Sequence, residues 1–344
     1  IVGADVVLLN TCSVREKPEQ KAFSLLGELA EAKRRKPSMI VGVCGCMAQA
    51  RADEIRRRAP HVDFVLGTGD LAAVGSLVEE AADGRRFAKR VDLPERKGRV
   101  VTDIPQRHLG RPAKLKAYVP IQYGCDKFCT YCIVPQTRGR ERSRPTDHVL
   151  AEVRALAESG TKEITLLGQT VNSYGKNLLE GVVPFSRLLR DCAAIEGIER
   201  IRYTSPYPRD FRDDLVEAIR DVPEVMEHVH LPIQSGDDDM LREMKRVYTL
   251  DSFLEIVGRL RGAIPNLGLT TDVIVGFPGE TERQFLNTVE AFRTIRFDNA
   301  YMFAYSTRPG TPAGDRDDQV PQEEKMRLLN HLIAVQNEIV DERN

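Results

Sequence analysis

The sequence predicts an α/β protein in two parts: an N-terminal doubly wound (Rossmann/flavodoxin-like) domain and, after it, a partial (βα)6 barrel of parallel strands. Three observations carry that prediction. Short apolar runs alternate with helical patterns along most of the chain, which is the rhythm of strand-helix-strand units. The runs are apolar throughout rather than alternating, as expected of strands covered on both faces. One basic, proline-containing stretch breaks the rhythm and separates two series.

In the first series, Asp5-Val-Val-Leu-Leu-Asn10 reads as a strand, residues 20–33 as a helix, and Met39-Ile-Val-Gly-Val43 as a strand. Residues 53–58 read as a helix, Val62-Asp-Phe-Val-Leu66 as a strand and residues 71–82 as a helix, giving a domain of residues 1–84. Residues 85–116 are dense in Lys and Arg, carry Pro94, Pro105 and Pro112, and lack apolar periodicity. They read as a basic linker with room for one hairpin, either a solvated connector or an RNA-contacting stretch.

The second series fills residues 117–344. Strands are expected at 118–122, 163–167, 200–204, 228–232, 268–275 and 299–304. Helices are expected at 146–158, 184–195, 212–220, 251–264 and 282–294, with a last one from Gln322. In such a barrel the chemistry sits on loops after the carboxyl ends of the strands.

Composition sets the outer limits. The chain has 344 residues, 42% of them hydrophobic and 29% charged, which excludes disordered and fibrous classes. The longest apolar stretch, around residues 267–277, is interrupted by Gly, Thr and Asp, so no membrane span is expected. Lys and Arg number 50 against 51 Asp and Glu, so RNA affinity has to come from local patches. Aromatics are 6% with no Trp, which leaves little surface for stacking bases. Seven cysteines are too few and too clustered for a disulfide scaffold, and point to a reducing cytoplasm. The start at Ile1 has no leader pattern and reads as a chain cut inside a domain.

Cys125, Cys129 and Cys132 form Cys-x3-Cys-x2-Cys just after the first strand of the second series. Three thiolates on one loop suit a 4Fe-4S cluster, in which three ligands leave one iron open to a small molecule. Zinc is the competing reading, but it wants a fourth ligand and no second cysteine pair lies nearby. Cys12 and Cys46 each follow a strand of the first series, at the edge where α/β sheets hold ligands. Taken alone, two cysteines in equivalent loops are more often buried small hydrophobes than ligands. Cys44 and Cys192 read as core.

The cysteine loop, with Tyr131 one residue before its last cysteine, resembles the radical S-adenosylmethionine (SAM) superfamily. The resemblance narrows to the tRNA methylthiotransferases through Cys125-Asp-Lys-Phe-Cys-Thr-Tyr-Cys-Ile-Val-Pro-Gln-Thr-Arg-Gly139, Leu167-Gly-Gln-Thr-Val-Asn-Ser-Tyr-Gly175 and His230-Leu-Pro-Ile-Gln-Ser-Gly236. Met244-Lys-Arg246, Thr271-Asp-Val-Ile-Val-Gly-Phe-Pro-Gly-Glu-Thr281 and Tyr305-Ser-Thr-Arg-Pro-Gly-Thr-Pro312 extend it over nearly the whole chain.

That resemblance implies a radical SAM barrel and two 4Fe-4S clusters. One would be held by Cys125, Cys129 and Cys132. The other, an auxiliary cluster, would be held by Cys12, Cys46 and a third cysteine expected upstream of Ile1. It further implies methylthiolation of C2 of N6-isopentenyladenosine at position 37 of the tRNA anticodon loop. One SAM methylates sulfur at the auxiliary cluster; a second is cleaved to a 5'-deoxyadenosyl radical that removes the C2 hydrogen. A flavodoxin or ferredoxin would donate electrons, the chain would be a cytoplasmic monomer, and the RNA-binding TRAM domain of the family would be missing, weakening tRNA affinity. Gln136, Thr170 and Tyr207 depart from the expected pattern, which leaves open sibling substrates: threonylcarbamoyl-adenosine in tRNA or an aspartate of a ribosomal protein. From another class, a non-catalytic metal-stabilised RNA-binding protein would not cleave SAM.

By position and resemblance, the expected SAM contacts are Tyr131, Gln169, Asn172, Ser205, Gln234, Gly276 and Phe277. Arg138, Arg140, Arg142 and Arg144 recur at every second residue, which in an extended segment makes a guanidinium strip for SAM or the RNA backbone. His228, His230 and Asp272 read as structural.

Overall fold

The computed structural model describes residues 3–13, 16–85, 87–93, 114–178 and 181–343. Its contacts divide the chain into two units. The first is Ile1–Lys97 with Gly124–Lys127 and Cys132–Arg140; the second is Gly98–Tyr123, Phe128–Tyr131 and Glu141–Asn344.

The first unit runs β1 (Val6–Thr11), α1 (Glu16–Arg35), β2 (Ile40–Gly45), α2 (Cys46–Arg58), β3 (Phe64–Leu66), a 3-10 turn (Leu71–Ala73), α3 (Val74–Ala82) and β4 (Ala88–Arg90). The strands form one parallel sheet in the order β1-β2-β3-β4. Alternate residues of β2 and β3 serve opposite layers, as strand geometry dictates. Val41, Val43 and Val65 pack with Leu26 and Leu29 of α1 and Met47 and Ile55 of α2. Cys44, Phe64 and Leu66 pack with Leu77 of α3. The doubly wound expectation holds.

Two details differ from the sequence reading. Among the described residues β1 is an edge strand, paired with β2 alone, and its Leu8 is 47% exposed. Ala88–Arg90, expected in the linker, is a parallel strand on β3. The rest of the basic linker, residues 94–113, lies outside the described residues.

In chain order there follow β5 (Lys116–Pro120), β6 (Gln122–Tyr123), α4 (Val134–Arg138, in the first unit), β7 (Arg142–Ser143), α5 (Thr146–Glu158), β8 (Glu163–Leu167), α6 (Phe185–Ala193), β9 (Arg200–Tyr203), α7 (Asp213–Asp221) and β10 (His228–His230). Then come α8 (Asp238–Glu243), α9 (Leu250–Ala263), β11 (Gly268–Val275), α10 (Glu282–Ile295), β12 (Asn299–Ala304) and α11 (Gln322–Arg343). The six main strands form two parallel three-stranded sheets, β5-β8-β9 and β10-β11-β12, with helices between successive strands as a partial barrel requires. β11 shows how the layers are made. Leu269, Val273 and Val275 join the large core with Phe253, Phe285 and Phe292, whereas Thr270, Asp272 and Ile274 on its other face are only half-buried.

The expected arginine strip does not form. Arg138 ends helix α4, Arg140 pairs with Asp126, and Arg144 is buried in an ion pair with Glu152. Only Arg142 lies in a strand, where Tyr123 faces it across the short antiparallel pair β6-β7.

Candidate functional site

The cysteine loop begins where β6 ends, and its first residue has to be glycine. Gly124 has φ +69, and a Cβ there would run into the Arg140 carbonyl. Cys125 N–H donates to the Gly139 carbonyl at 3.2 Å, so the two ends of the segment 124–140 meet. Cys125 and Cys129 are buried, Cys132 is half-buried, and none of the three is in a disulfide. Lys127 N–H points at Cys125 Sγ at 3.3 Å. Among the described residues no three His, Cys, Asp or Glu side chains lie close enough to hold a metal ion. The donor chemistry nevertheless suits an iron–sulfur cluster: three reduced thiols on one loop, two of them shielded and offered N–H donors.

The middle of the loop is fastened within the second unit. Thr130 N–H donates to the Met244 carbonyl (3.2 Å), its hydroxyl to the Glu243 carbonyl (2.8 Å), and its carbonyl accepts from Ala313 N–H (2.9 Å). Tyr131 packs on Met240, Met244, Phe277, Tyr305 and Ala313. Tyr131 and Phe277, both expected SAM contacts, therefore share one apolar cluster, in which Phe277 is fully buried.

The other expected contacts divide by what their side chains already do. Ser205 and Gln234, just past β9 and β10, hold φ values of +54 and +66. Such conformations are strained for residues with a Cβ and cluster at functional sites. Gly276 directly follows β11 at φ +68 with Lys325 where a Cβ would stand, and its N–H donates to Glu280 Oε2 at 2.5 Å. Gln169 is half-buried just past β8. Asn172 is already engaged: its Nδ2 donates to the Tyr207 carbonyl (2.9 Å) and its Oδ1 accepts from Tyr207 N–H (2.8 Å).

In the first unit, Cys12 and Cys46 directly follow the paired residues Thr11 and Gly45, so they occupy equivalent places past adjacent strands. Cys12 is exposed. Cys46 is buried at the start of α2, and Arg138 Nε donates to its sulfur at 3.2 Å. Cys44 and Cys192 are core residues, and burial pushes both thiols up, Cys192 to about 12.

Sequence reasoning gave several groups no functional role. Arg246 donates from Nη1 to Cys129 Sγ at 3.4 Å, a partner distant in sequence. His230 meets Asp272 at 3.3 Å and Thr270 at 3.0 Å on the half-buried face of the β10-β11-β12 sheet, with the exposed Tyr301 ring edge-on at 5.7 Å. The alternation of His228 and His230 in the sequence was the signal. Burial pushes the Glu280 carboxyl up to about 7, against the N–H groups of Gly276 and Phe277, and among the described residues its buried Oε1 has no hydrogen-bond partner.

Comparison with known proteins supplies the wider frame. Residues 119–292 match the radical SAM superfamily, and residues 2–67 match the uncharacterized protein family UPF0004. The tRNA-2-methylthio-N(6)-dimethylallyladenosine synthase of Carboxydothermus hydrogenoformans is 43% identical over 99% of this chain and 77% of its own length. The synthase of the same name from Thermoanaerobacter pseudethanolicus is 46% identical over 99% of this chain and 72% of its own. Among solved structures, the radical SAM methyltransferase TsrM of Kitasatospora setae matches with a TM-score of 0.66 at 17% identity, over 90% of this chain and 64% of that one. That likeness speaks for the fold alone.

Proposed function

The chain belongs to the radical SAM tRNA methylthiotransferases, and from that premise we propose that it carries out the reaction for which those relatives are named: methylthiolation of C2 of N6-isopentenyladenosine at position 37 in the tRNA anticodon loop. The observation that carries the proposal is the loop of three reduced cysteines, with donors aimed at Cys125 and Cys129, in a chain that follows those relatives over 99% of its length.

Cys125, Cys129 and Cys132 would hold one 4Fe-4S cluster, and Cys12 and Cys46 would contribute to an auxiliary one. When bound, these clusters supply an electron for the reductive cleavage of SAM and sulfur for the product. The chain's own residues position and shield. Tyr131 and Phe277 form an apolar floor beside the loop. The left-handed backbone at Ser205, Gln234 and Gly276, together with Gln169, offers polar groups past the strand ends for the amino acid end and ribose of SAM. Asn172 acts one residue away, by fixing the backbone of Tyr207.

For the nucleobase, Tyr301 presents an exposed ring and the His230–Asp272 pair a polar edge on the same face. RNA bases splayed from a loop are recognised in this way, by stacking and edge hydrogen bonds. The electron comes from a separate low-potential protein such as a flavodoxin or ferredoxin.

The test is iron and sulfide content after anaerobic reconstitution of this chain and its Cys125→Ala variant, followed by dithionite, SAM and isopentenylated tRNA. Iron loss in the variant, with 5'-deoxyadenosine and methylthiolated base formed only by the parent, is the expected result. Zinc in place of iron, or SAM left uncleaved by the loaded parent, would overturn the reading.

A further inference from the structure

Arg246 is a cation set among aromatic rings. Among the described residues no carboxylate pairs with it, yet it is half-buried and held on every side. Its Nε donates to the Tyr248 hydroxyl at 3.0 Å, and Nη2 approaches the Pro232 carbonyl at 3.4 Å. Its guanidinium carbon lies 4.5 Å from the Tyr207 ring centre and 5.1 Å from that of Tyr248. The frame around it is itself fixed. The Tyr248 hydroxyl donates to the Ile233 carbonyl at 2.9 Å, Val247 N–H donates to the Tyr207 hydroxyl at 3.3 Å, and Asn172 clamps the Tyr207 backbone. Nη1 points at Cys129 Sγ at 3.4 Å.

A guanidinium between two aromatic faces keeps its charge, and its planar fork is aimed rather than mobile. Of the groups in its reach among the described residues, Tyr207 and Tyr248 are phenols, and the sulfur of Cys129 is the one an iron–sulfur cluster would take as a thiolate. Hydrogen bonds and positive charge at ligand sulfurs are the means by which a protein sets the potential of an iron–sulfur cluster.

We propose that Arg246 is a positioning residue that holds the Cys129 sulfur in place and, through its charge, makes the cluster on Cys125, Cys129 and Cys132 easier to reduce. This rests on the cluster assignment proposed above. Reduction adds one electron to the cluster and leaves every bond in the chain intact. A fixed positive charge beside a ligand sulfur stabilises the reduced form more than the oxidised form, so neutralising it lowers the potential.

The experiment compares reconstituted parent, Arg246→Gln and Arg246→Lys by iron content and by a dye-mediated redox titration followed by EPR. The signal that shifts on adding SAM identifies the cluster concerned. For Arg246→Gln with parental iron content, the reduced-to-oxidised ratio at a fixed potential should fall on the order of tenfold, the size of one charge-assisted hydrogen bond. Arg246→Lys, which keeps the charge, should recover most of that ratio. If Arg246→Gln does not load iron, Arg246→Lys loading at the parental ratio supports the assignment equally. An unchanged ratio in a loaded Arg246→Gln overturns it, and so does failure of both variants to load, since lysine retains the charge. Absence of iron from the parent, or a Cys125→Ala variant with the parent's full iron content, instead sinks the cluster assignment, and the arginine role with it.

Discussion

The side chains of this protein differ less in type than in what is already bonded to them. Asn172, expected to touch SAM, already makes one bond from each end of its amide to the Tyr207 backbone. The three cysteines were legible because their signal is local, three residues within eight positions. Arg246 had no legible role, because its meaning depends on a sulfur 117 positions away in the chain. Glu280 was equally silent, since nothing in Pro-Gly-Glu-Thr says that its carboxyl ends up buried. It yields a prediction about pH. Burial lifts its carboxyl to about 7, so between about pH 4.5 and 7 the folded chain holds a proton that the unfolded chain has lost. Stability should fall as pH rises through that window, by up to about 3 kcal/mol at 1.36 kcal/mol per unit, and level off above it. Urea denaturation at pH 5 and pH 7.5 measures this. Glu280→Gln keeps an acceptor for Gly276 N–H and should flatten the slope; the same slope in the variant would place its source elsewhere.

Elements were read well where burial on two faces or a long helical period left no alternative, as with β8, β11, β12 and α5, whose bounds match the expectation. The misreading fell at α4. Arginines at every second residue imitate a strand, but Pro135 in the first turn and Gly139 just past the end, at φ +71, are the marks of a short helix. Short α8 escaped notice for a related reason: its six residues are too few to show a period, though Asp237 caps it with bonds to Asp239 and Met240 N–H. The helix ends also carry measurable stability. Thr281 and Gln284 form a reciprocal cap on α10, with Thr281 N–H donating to Gln284 Oε1 at 2.9 Å. Thr281→Ala should cost about 1 kcal/mol in urea denaturation, and Thr281→Ser should recover most of it. A loss confined to noise in the alanine variant would show that the cap contributes nothing beyond the packing of Phe285 and Phe292.

At the scale of the chain, the alternation of strand and helix foretold both α/β parts, because a parallel strand needs a crossover element and the crossover needs length. Where the cysteine loop attaches was not foretold: residues 132–140 group with the first unit although they follow a strand of the second series. That division depends on contacts such as Thr68 to Thr137, which no local pattern announces. Charge is a second property of the whole. With a net charge of −1 and an isoelectric point near 6.7, the chain has little self-repulsion near neutrality. Light scattering at low salt should peak near pH 6.7 and fall by pH 8; a flat profile would mean that local patches rather than net charge govern association. The seven cysteines, finally, do not stand on equal terms towards an alkylating reagent. Cys44 and Cys192 are shielded and kept protonated by burial, so a brief pulse of iodoacetamide leaves them unmarked whether or not metal is bound. In peptide mass spectra they serve as built-in blanks, against which the labelling of exposed Cys12 and half-buried Cys132 reads out how full each cysteine set is.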